Sequence, residues 1–261
     1  MVVMNILSLD QGTTSSRAII FNSKAQAIGT GQVEFKQYFP QEGWVEHDPE
    51  EIWTSQKAAI EQALDNSNLC IKDITAIGIT NQRETTILWD RKTGKAIYPA
   101  IVWQDRRTSQ QCDQLTSEQR ESIHQTTGLL ADPYFSATKI RWILDHVEGA
   151  SERAKAGDLA FGTVESWLIW KLSEGQSHLN DVSNASRTML MNLKTADWDK
   201  AMLELFQIPE SLLPQICGNS EHTATATVLG SSIPITGLAG DQQAALFGQL
   251  CTKSGMVKNT Y

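Results

Sequence analysis

Short runs of β-forming residues alternate with helical patterns along this chain, and that alternation restricts its fold more than any other feature. The first three runs, Asn5 to Asp10, Ser16 to Asn22 and Ala25 to Phe35, are predicted to be strands. A polar turn at Gln11 to Ser15 separates the first two. Because the connections are short, we expect these strands to form an antiparallel meander.

The segment after the meander carries the signals of a helix start. Asp48 is suited to cap the helix, Pro49 to occupy its first turn, and Glu51 to complete the capping box. Trp53 and Ile60 are spaced by two helical turns, so they share one face of a helix running to about Asp65.

The rest of the chain continues the alternation. Strands are predicted at Ile74 to Thr80, Glu84 to Asp90 and Thr236 to Ala239, and helices at Ala137 to His146, Val164 to Leu172, Ala201 to Leu205 and Asp241 to Gly248. No internal repeat or Pro/Ser-rich linker divides the 261 residues. The pattern predicts one α/β domain spanning 1–261.

Composition excludes several functional classes. The chain has 22 Lys plus Arg against 30 Asp plus Glu, a net charge of −8, which argues against a nucleic-acid partner. No apolar run approaches the ~18 residues that a membrane span needs. The first residues lack a secretory signal and the four cysteines lack paired spacing, so we expect a cytoplasmic protein. No sequence pattern identifies a self-association surface, so the sequence leaves open whether the protein forms a homo-oligomer.

The first candidate site is the turn that follows the first predicted strand. Asp10 ends the predicted strand, Gly12 lies in the turn, and Thr13, Thr14 and Ser15 supply hydroxyl donors beside exposed backbone amides. Such a turn can receive phosphate oxygens, and Asp10 can hold Mg²⁺ through water. The P-loop spacing is absent, so the turn taken by itself favours an ordinary hairpin connection.

Three further clusters could bind a polar substrate. Arg83 and Glu84 follow a buried strand, where α/β sites form, and either offer donors and an acceptor to the hydroxyls of a polyol or form an exposed ion pair or turn. Trp103 is followed by three charged residues within four positions. Its ring can form one wall of a binding pocket, or it can pack in the protein interior beside a helix start. Asp241 opens a predicted helix, a position that suits either a general base or a structural cap.

Taken together, these motifs resemble the glycerol kinases of the FGGY carbohydrate kinase family. The resemblance covers about Asn5 to Tyr261, and the Asn81 to Glu84 stretch is more specific to the glycerol branch than to xylulose or gluconate kinases. The stretches that carry it are Asp10 to Arg17, Gly43 to Pro49, Gly78 to Thr86, Trp103 to Gln104, Asp132 to Ser136, Asn184 to Leu190 and Ala239 to Gln249.

The resemblance implies an actin-like, ribonuclease H-like ATPase domain, a mixed sheet flanked by helices, that uses ATP and Mg²⁺. Asp241 would be the catalytic base, and the glycerol-binding residues would be Arg83, Glu84, Trp103, Tyr134, Asp241 and Gln242. Thr13, Thr14 and Ser15 would receive the phosphates, Arg17 would touch the nucleotide phosphates, and Asp10 would orient Mg²⁺.

The resemblance also implies a second domain that holds the adenosine and closes the cleft. The family continues beyond the position of Tyr261 into that domain, so we expect this chain to be an N-terminal, glycerol-binding part with an incomplete active site. Two alternatives remain: a polyol-binding module without catalysis, and a related kinase acting on another polyol or a ketose.

Overall fold

The computed structural model describes residues 4–260, so Met1 to Val3 and Tyr261 of the predicted 1–261 domain lie outside the described residues. The strands are β1 (Ile6–Gln11), β2 (Ser15–Phe21), β3 (Ala27–Glu34), β4 (Glu46–His47), β5 (Ala76–Asn81), β6 (Ile87–Asp90), β7 (Ala100–Ile101), β8 (Leu159–Gly162), β9 (Leu179–Asp181), β10 (Met191–Asn192), β11 (Asp197–Trp198), β12 (Gln215–Cys217), β13 (Ala224–Ala226) and β14 (Ile233–Gly240).

The helices alternate with these strands, as the α/β class predicts. They are α1 (Pro49–Ser67), α2 (Ser109–Asp113), α3 (Ser117–Thr127), α4 (Ser136–His146), α5 (Ala150–Ala156), α6 (Val164–Leu172), α7 (Val182–Ala185), α8 (Lys200–Leu205) and α9 (Asp241–Gly248). No helix within residues 4–260 combines the length and apolar character that crossing a membrane requires.

A mixed six-stranded sheet forms the centre of the fold, in the order β13-β14-β5-β1-β2-β3. Strands β1, β2 and β3 are antiparallel neighbours, which confirms the predicted meander. Strands β5 and β14 run parallel to β1, while β13 is antiparallel to β14. The carboxyl ends of β1, β5 and β14 therefore meet at one edge of the sheet.

Helix α1 lies against the meander at unusually close range. A Cβ atom on Gly31 would stand 2.1 Å from the carbonyl oxygen of Ala59, and one on Gly29 would stand 2.3 Å from that of Ala63. Only glycine permits this approach of helix backbone to β3. The contact completes an apolar core in which Leu7 and other strand residues pack against α1 and α6.

A second apolar core lies in the chain between β5 and β14. Its buried residues include Leu88 of β6, Ile140 of α4, Phe161 of β8 and Leu203 of α8. Leu88 of β6 belongs to this second core. The core therefore anchors the part of the chain that follows Asn81.

One boundary differs from the sequence prediction in a way that matters for the site. The strand predicted at Glu84 to Asp90 begins only at Ile87, because Glu84 has a positive φ of 61° that no strand accommodates. Asp241 is the first residue of α9, and Gly240 occupies the cap position instead. The predicted bounds of α6 and α9 are confirmed.

Candidate active site

The predicted site residues gather where three parallel strands end in register. Gln11 of β1 is level with Asn81 of β5, and Asn81 is level with Gly240 of β14. The turn after Gln11, the segment after Asn81 and the start of α9 therefore project from one edge. Ligand sites form at this edge in α/β folds because adjacent chain ends diverge there.

The turn after β1 forms the first side of the site. Asp10 lies 3.6 Å from the guanidinium of Arg17, its cross-strand partner, and both side chains are about two-fifths exposed. Burial raises the pKa of the Asp10 carboxyl, Arg17 opposes that rise, and the nearby Asp241 carboxylate adds to it. Two carboxyl groups thus share the same small region, where a bound cation would be stabilised.

The buried side chain of Gln82 fixes the shape of this turn. Its Nε2 donates to the Gln11 side chain at 3.0 Å and to the carbonyl of Gly12 at 2.9 Å. Its Oε1 accepts from the Thr85 hydroxyl at 2.8 Å. These bonds tie the turn after β1 to the segment after β5.

Arg83 and Asp241 meet across the strand ends. Arg83 Nε donates to Asp241 Oδ1 at 3.0 Å, and the Arg83 side chain is only 12% exposed whereas that of Asp241 is 44% exposed. The same Asp241 oxygen accepts from the backbone amide of Gln242. One oxygen is thereby held in place while the carboxylate keeps an exposed face.

Glu84 is buried and strained beside this pair. Arg187 Nε donates to Glu84 Oε1 at 2.7 Å, and the Glu84 carbonyl accepts from the hydroxyls of Thr86 and Ser136. Burial raises the pKa of the Glu84 carboxyl, and Arg187 and Arg83 counteract that rise. Strained backbone of this kind persists only where surrounding bonds hold it, and it is concentrated at functional sites.

Two aromatic rings line the same region. The rings of Trp103 and Tyr134 stand edge to face with centroids 5.7 Å apart, and Trp103 Nε1 donates to the Thr13 hydroxyl at 3.0 Å. The guanidinium of Arg187 lies 5.9 Å from the Tyr134 ring. Trp103 therefore connects the turn after β1 with the Tyr134 side of the site.

The remaining predicted residues are less constrained. Thr14 is exposed at the tip of the turn, the Ser15 hydroxyl accepts from Gln32, and the Gln242 side chain accepts from Lys258 at 3.2 Å. All lie on the segments that follow β1 and β14. The structure therefore brings the predicted residues to one edge, without testing their roles.

No role was predicted from the sequence for Arg187, Gln82 or Lys139. Arg187 and Gln82 lie inside stretches that carried the family resemblance, but residue type alone does not reveal which neutral or basic groups face inward. Lys139 is fully buried in α4, and its Nζ donates to the Tyr134 carbonyl at 2.8 Å. A buried lysine after an aromatic pair gives no local sequence signal.

Lys139 gives a pH-dependent prediction. Burial lowers its pKa from 10.5 to about 7, so between these values the unfolded chain binds a proton that the folded chain releases. Stability should therefore rise with pH, by up to about 1.4 kcal/mol per unit for one proton. Urea titrations should show the free energy of unfolding of the wild type rising relative to Lys139→Met between pH 7 and 9.

The matched control for this measurement is Lys155→Met, because Lys155 is exposed. Its difference from the wild type should stay flat over the same pH range. A flat difference for Lys139→Met as well would contradict the lowered pKa.

The donor set at Asp10 fits a divalent cation that is bound mainly by other ligands. Among residues 4–260, no group of three or more His, Cys, Asp or Glu side chains could form a full metal site. The Asp10 carboxyl and the buried Thr80 hydroxyl, which has no hydrogen-bond partner in the described part of the chain, are oxygen donors on adjacent strands. Mg²⁺ is commonly held in this way, by one or two protein oxygens, water and phosphate.

Solved structures share this architecture. The chain superposes on glycerol kinase from Plasmodium falciparum with ADP with a TM-score of 0.89 and 36% identity, covering 95% of this chain and 50% of that one. It superposes on xylulose kinase from Rhodospirillum rubrum with a TM-score of 0.86 and 21% identity, covering 96% and 52%. The meander, the two parallel strands and the flanking helices are thus those of an actin-like, ribonuclease H-like domain.

Sequence comparison gives the family. Residues 5–248 match the N-terminal domain of the FGGY family of carbohydrate kinases. Glycerol kinase from Dichelobacter nodosus is 57% identical over 259 residues, 98% of this chain and 52% of that protein. The Burkholderia pseudomallei glycerol kinase is 58% identical over 259 residues, with the same coverage. The chain belongs to the FGGY family of carbohydrate kinases, and it spans about half the length of these curated relatives.

Proposed function

We propose that this chain forms the glycerol-binding half of an enzyme that phosphorylates glycerol to sn-glycerol 3-phosphate with ATP. The observation that supports this most directly is the exposed Asp241 carboxylate, held by Arg83 at the edge where Glu84 and the hydroxyl-rich turn after β1 also lie. That edge joins hydroxyl-binding groups to phosphate-binding groups, as a kinase requires. Similarity to the named glycerol kinases favours glycerol among acceptors.

The acceptor side is proposed to bind the three hydroxyls of glycerol by charge-assisted hydrogen bonds. Arg83 supplies donors, and Glu84 and Asp241 supply acceptors. Tyr134 and Gln242 add a hydroxyl and an amide, and Trp103 walls the carbon side. A pocket built this way rejects an analogue that lacks a hydroxyl, because the unmatched polar groups stay buried and unpaired.

Asp241 is proposed to act as the general base. Its free carboxylate face would accept the proton of the attacking hydroxyl as the γ-phosphoryl group moves to that oxygen. Arg83 orients the carboxylate by holding Oδ1. The proton thus leaves the alcohol as the new phosphorus–oxygen bond forms, while the bond between the γ-phosphorus and the β,γ-bridging oxygen breaks and ADP leaves.

The phosphate side is proposed to consist of the turn after β1. Thr13, Thr14 and Ser15 would donate to phosphate oxygens, and Arg17 would touch the nucleotide phosphates. Asp10 would hold Mg²⁺ through water, and the ion would supply charge neutralisation when bound. Burial raises the pKa of Asp10, Arg17 opposes that rise and Asp241 adds to it, so all three act on the carboxyl proposed to face the ion.

We also propose that residues 1–261 act as one FGGY N-terminal domain within a larger active site. The Asp10 and Asp241 side chains are 39% and 44% exposed, so water reaches both. Phosphoryl transfer to an alcohol needs water excluded, which calls for a covering part of the molecule. The greater length of the relatives is consistent with this proposal.

An acceptor panel tests the reaction. ADP release should be measured with ATP and Mg²⁺ for the protein at the full length its gene encodes, with glycerol, dihydroxyacetone, xylulose and no acceptor. We expect the highest kcat/KM with glycerol. A preference for xylulose would favour the ketose kinase alternative, and glycerol binding without ADP release would favour the binding module.

A further inference from the structure

A cluster of buried polar side chains lies beneath the candidate site and plays no part in the function proposed above. Its members are Glu165 of α6, Asp181 at the end of β9, and Ser183 and Asn184 of α7. Glu165 and Asp181 are completely buried, and burial raises the pKa of Glu165 well above its usual value. Burying a polar group costs free energy unless the group is hydrogen-bonded. Such a cluster must therefore be extensively hydrogen-bonded or have a functional role.

Asp181 is the centre of the cluster. Its carboxylate accepts from the Ser183 amide and hydroxyl, from the Asn184 side chain and from the Asn219 side chain. Asp181 therefore fixes the orientation of both Ser183 and Asn184.

Ser183 connects this centre to the strand that delivers Asp241. Because its hydroxyl proton is donated to Asp181, the oxygen is free to accept, and it accepts from the backbone amide of Gly240 at 2.8 Å. Gly240 ends β14 and precedes Asp241 directly. The Ser183 hydroxyl thus holds the backbone from which the Asp241 carboxylate projects.

Asn184 connects the same centre to the strand that delivers Arg83. The side-chain amides of Asn184 and Asn81 exchange two hydrogen bonds, of 3.0 and 3.1 Å, and both residues are fully buried. Glu165 Oε2 also lies 2.9 Å from Asn184 Nδ2, whose two hydrogens are therefore shared among Asn81, Asp181 and Glu165. Asn81 ends β5, two residues before Arg83.

We propose that Ser183 and Asn184, held by Asp181, are positioning residues that set the ends of β5 and β14 relative to each other and so align Arg83 with Asp241. This inference rests on the proposed glycerol phosphorylation. Neither residue touches a reacting group: Ser183 acts through the Gly240 backbone amide, and Asn184 acts through the Asn81 side chain. Misplacing a catalytic group by about 1 Å can cost about 10²-fold in rate, so loss of one link should be visible in turnover.

The test uses Ser183→Ala, with Ser183→Thr as the variant that keeps the hydroxyl. Thr127→Val is the matched control, because Thr127 also has a buried hydroxyl in a helix, bonded at 2.7 Å to the Ile123 carbonyl within α3 and making no hydrogen bond to β5 or β14. In the full-length protein we expect kcat with glycerol to fall about 10- to 100-fold in Ser183→Ala. The glycerol KM should change less than about 3-fold, and the other two variants should stay within about 3-fold of the wild type.

Amide hydrogen exchange at Gly240 gives a readout that does not depend on activity. Protection of this amide should fall in Ser183→Ala alone. Turnover of Ser183→Ala equal to that of the Thr127→Val control, with or without loss of Gly240 protection, would overturn the positioning role. A wild type that transfers no phosphoryl group would instead reject the proposed function, and the positioning role with it.

Discussion

Replacing Asp241 with Asn should lower the rate of glycerol phosphorylation by about 10²- to 10⁴-fold, the contribution usual for a general base. Asn can still accept the hydrogen bond from Arg83 Nε that Asp241 Oδ1 accepts at 3.0 Å, so the side chain should keep its place. It cannot take up the proton of the attacking hydroxyl. Initial rates should be measured on the full-length protein and glycerol affinity by calorimetry, with affinity expected to change less than about 5-fold.

The control for this prediction is Asp145→Asn. Asp145 lies on α4, where it pairs with Arg141 on the exposed surface. It should leave both rate and affinity unchanged. Loss of glycerol affinity as large as the loss of rate in Asp241→Asn would show that this carboxylate serves binding and not proton transfer.

Replacing Arg107 with Ala should destabilise the fold by about 3–5 kcal/mol, the usual cost of breaking a buried ion pair. The Arg107 side chain has no exposed surface, and its Nη2 donates to Glu46 and to Asp105 at 2.8 Å each. Its guanidinium also stacks 3.7 Å from the centroid of Trp44. Removing it leaves two carboxylates without their cation and an empty space between aromatic rings. Urea unfolding should show the lower midpoint.

The neighbouring Arg106 provides the control. Its ion pair with Asp132 has the same 2.8 Å distance, but the two side chains are 53% and 41% exposed. Exposed pairs contribute about 0–1 kcal/mol, so Arg106→Ala should fall within that range. Equal destabilisation by the two variants would contradict the importance of burial at Arg107.

Local signals in the sequence predicted most of the central architecture. The meander, the start of α1 at Pro49 and the bounds of α6 and α9 follow from period and capping, which depend on residues close together in the chain. The strand predicted at Glu84 to Asp90 is present, but it begins at Ile87 and not at Glu84. Its predicted start was wrong because tertiary contacts hold Glu84 at a positive φ despite the β-forming residues around it. The hydroxyls of Thr86 and Ser136 donate to the Glu84 carbonyl, and Arg187 pairs with the Glu84 carboxylate. Together these contacts hold a backbone conformation that residues other than glycine disfavour.

Some features of the candidate site could likewise be predicted from the sequence, and others depend on the tertiary structure. The sequence by itself determined which residue types could carry the chemistry, since Asp10 ends a predicted strand, Arg83 and Asp241 each follow one, and all three stand in stretches that resemble the family. Only the tertiary structure decided that Arg83 holds Asp241, that Glu84 pairs with Arg187, and that Ser183 and Asn184 join the ends of β5 and β14. These contacts link residues 57 to 158 positions apart, and a local pattern carries no information about which distant groups the packing of the sheet will bring within hydrogen-bonding distance.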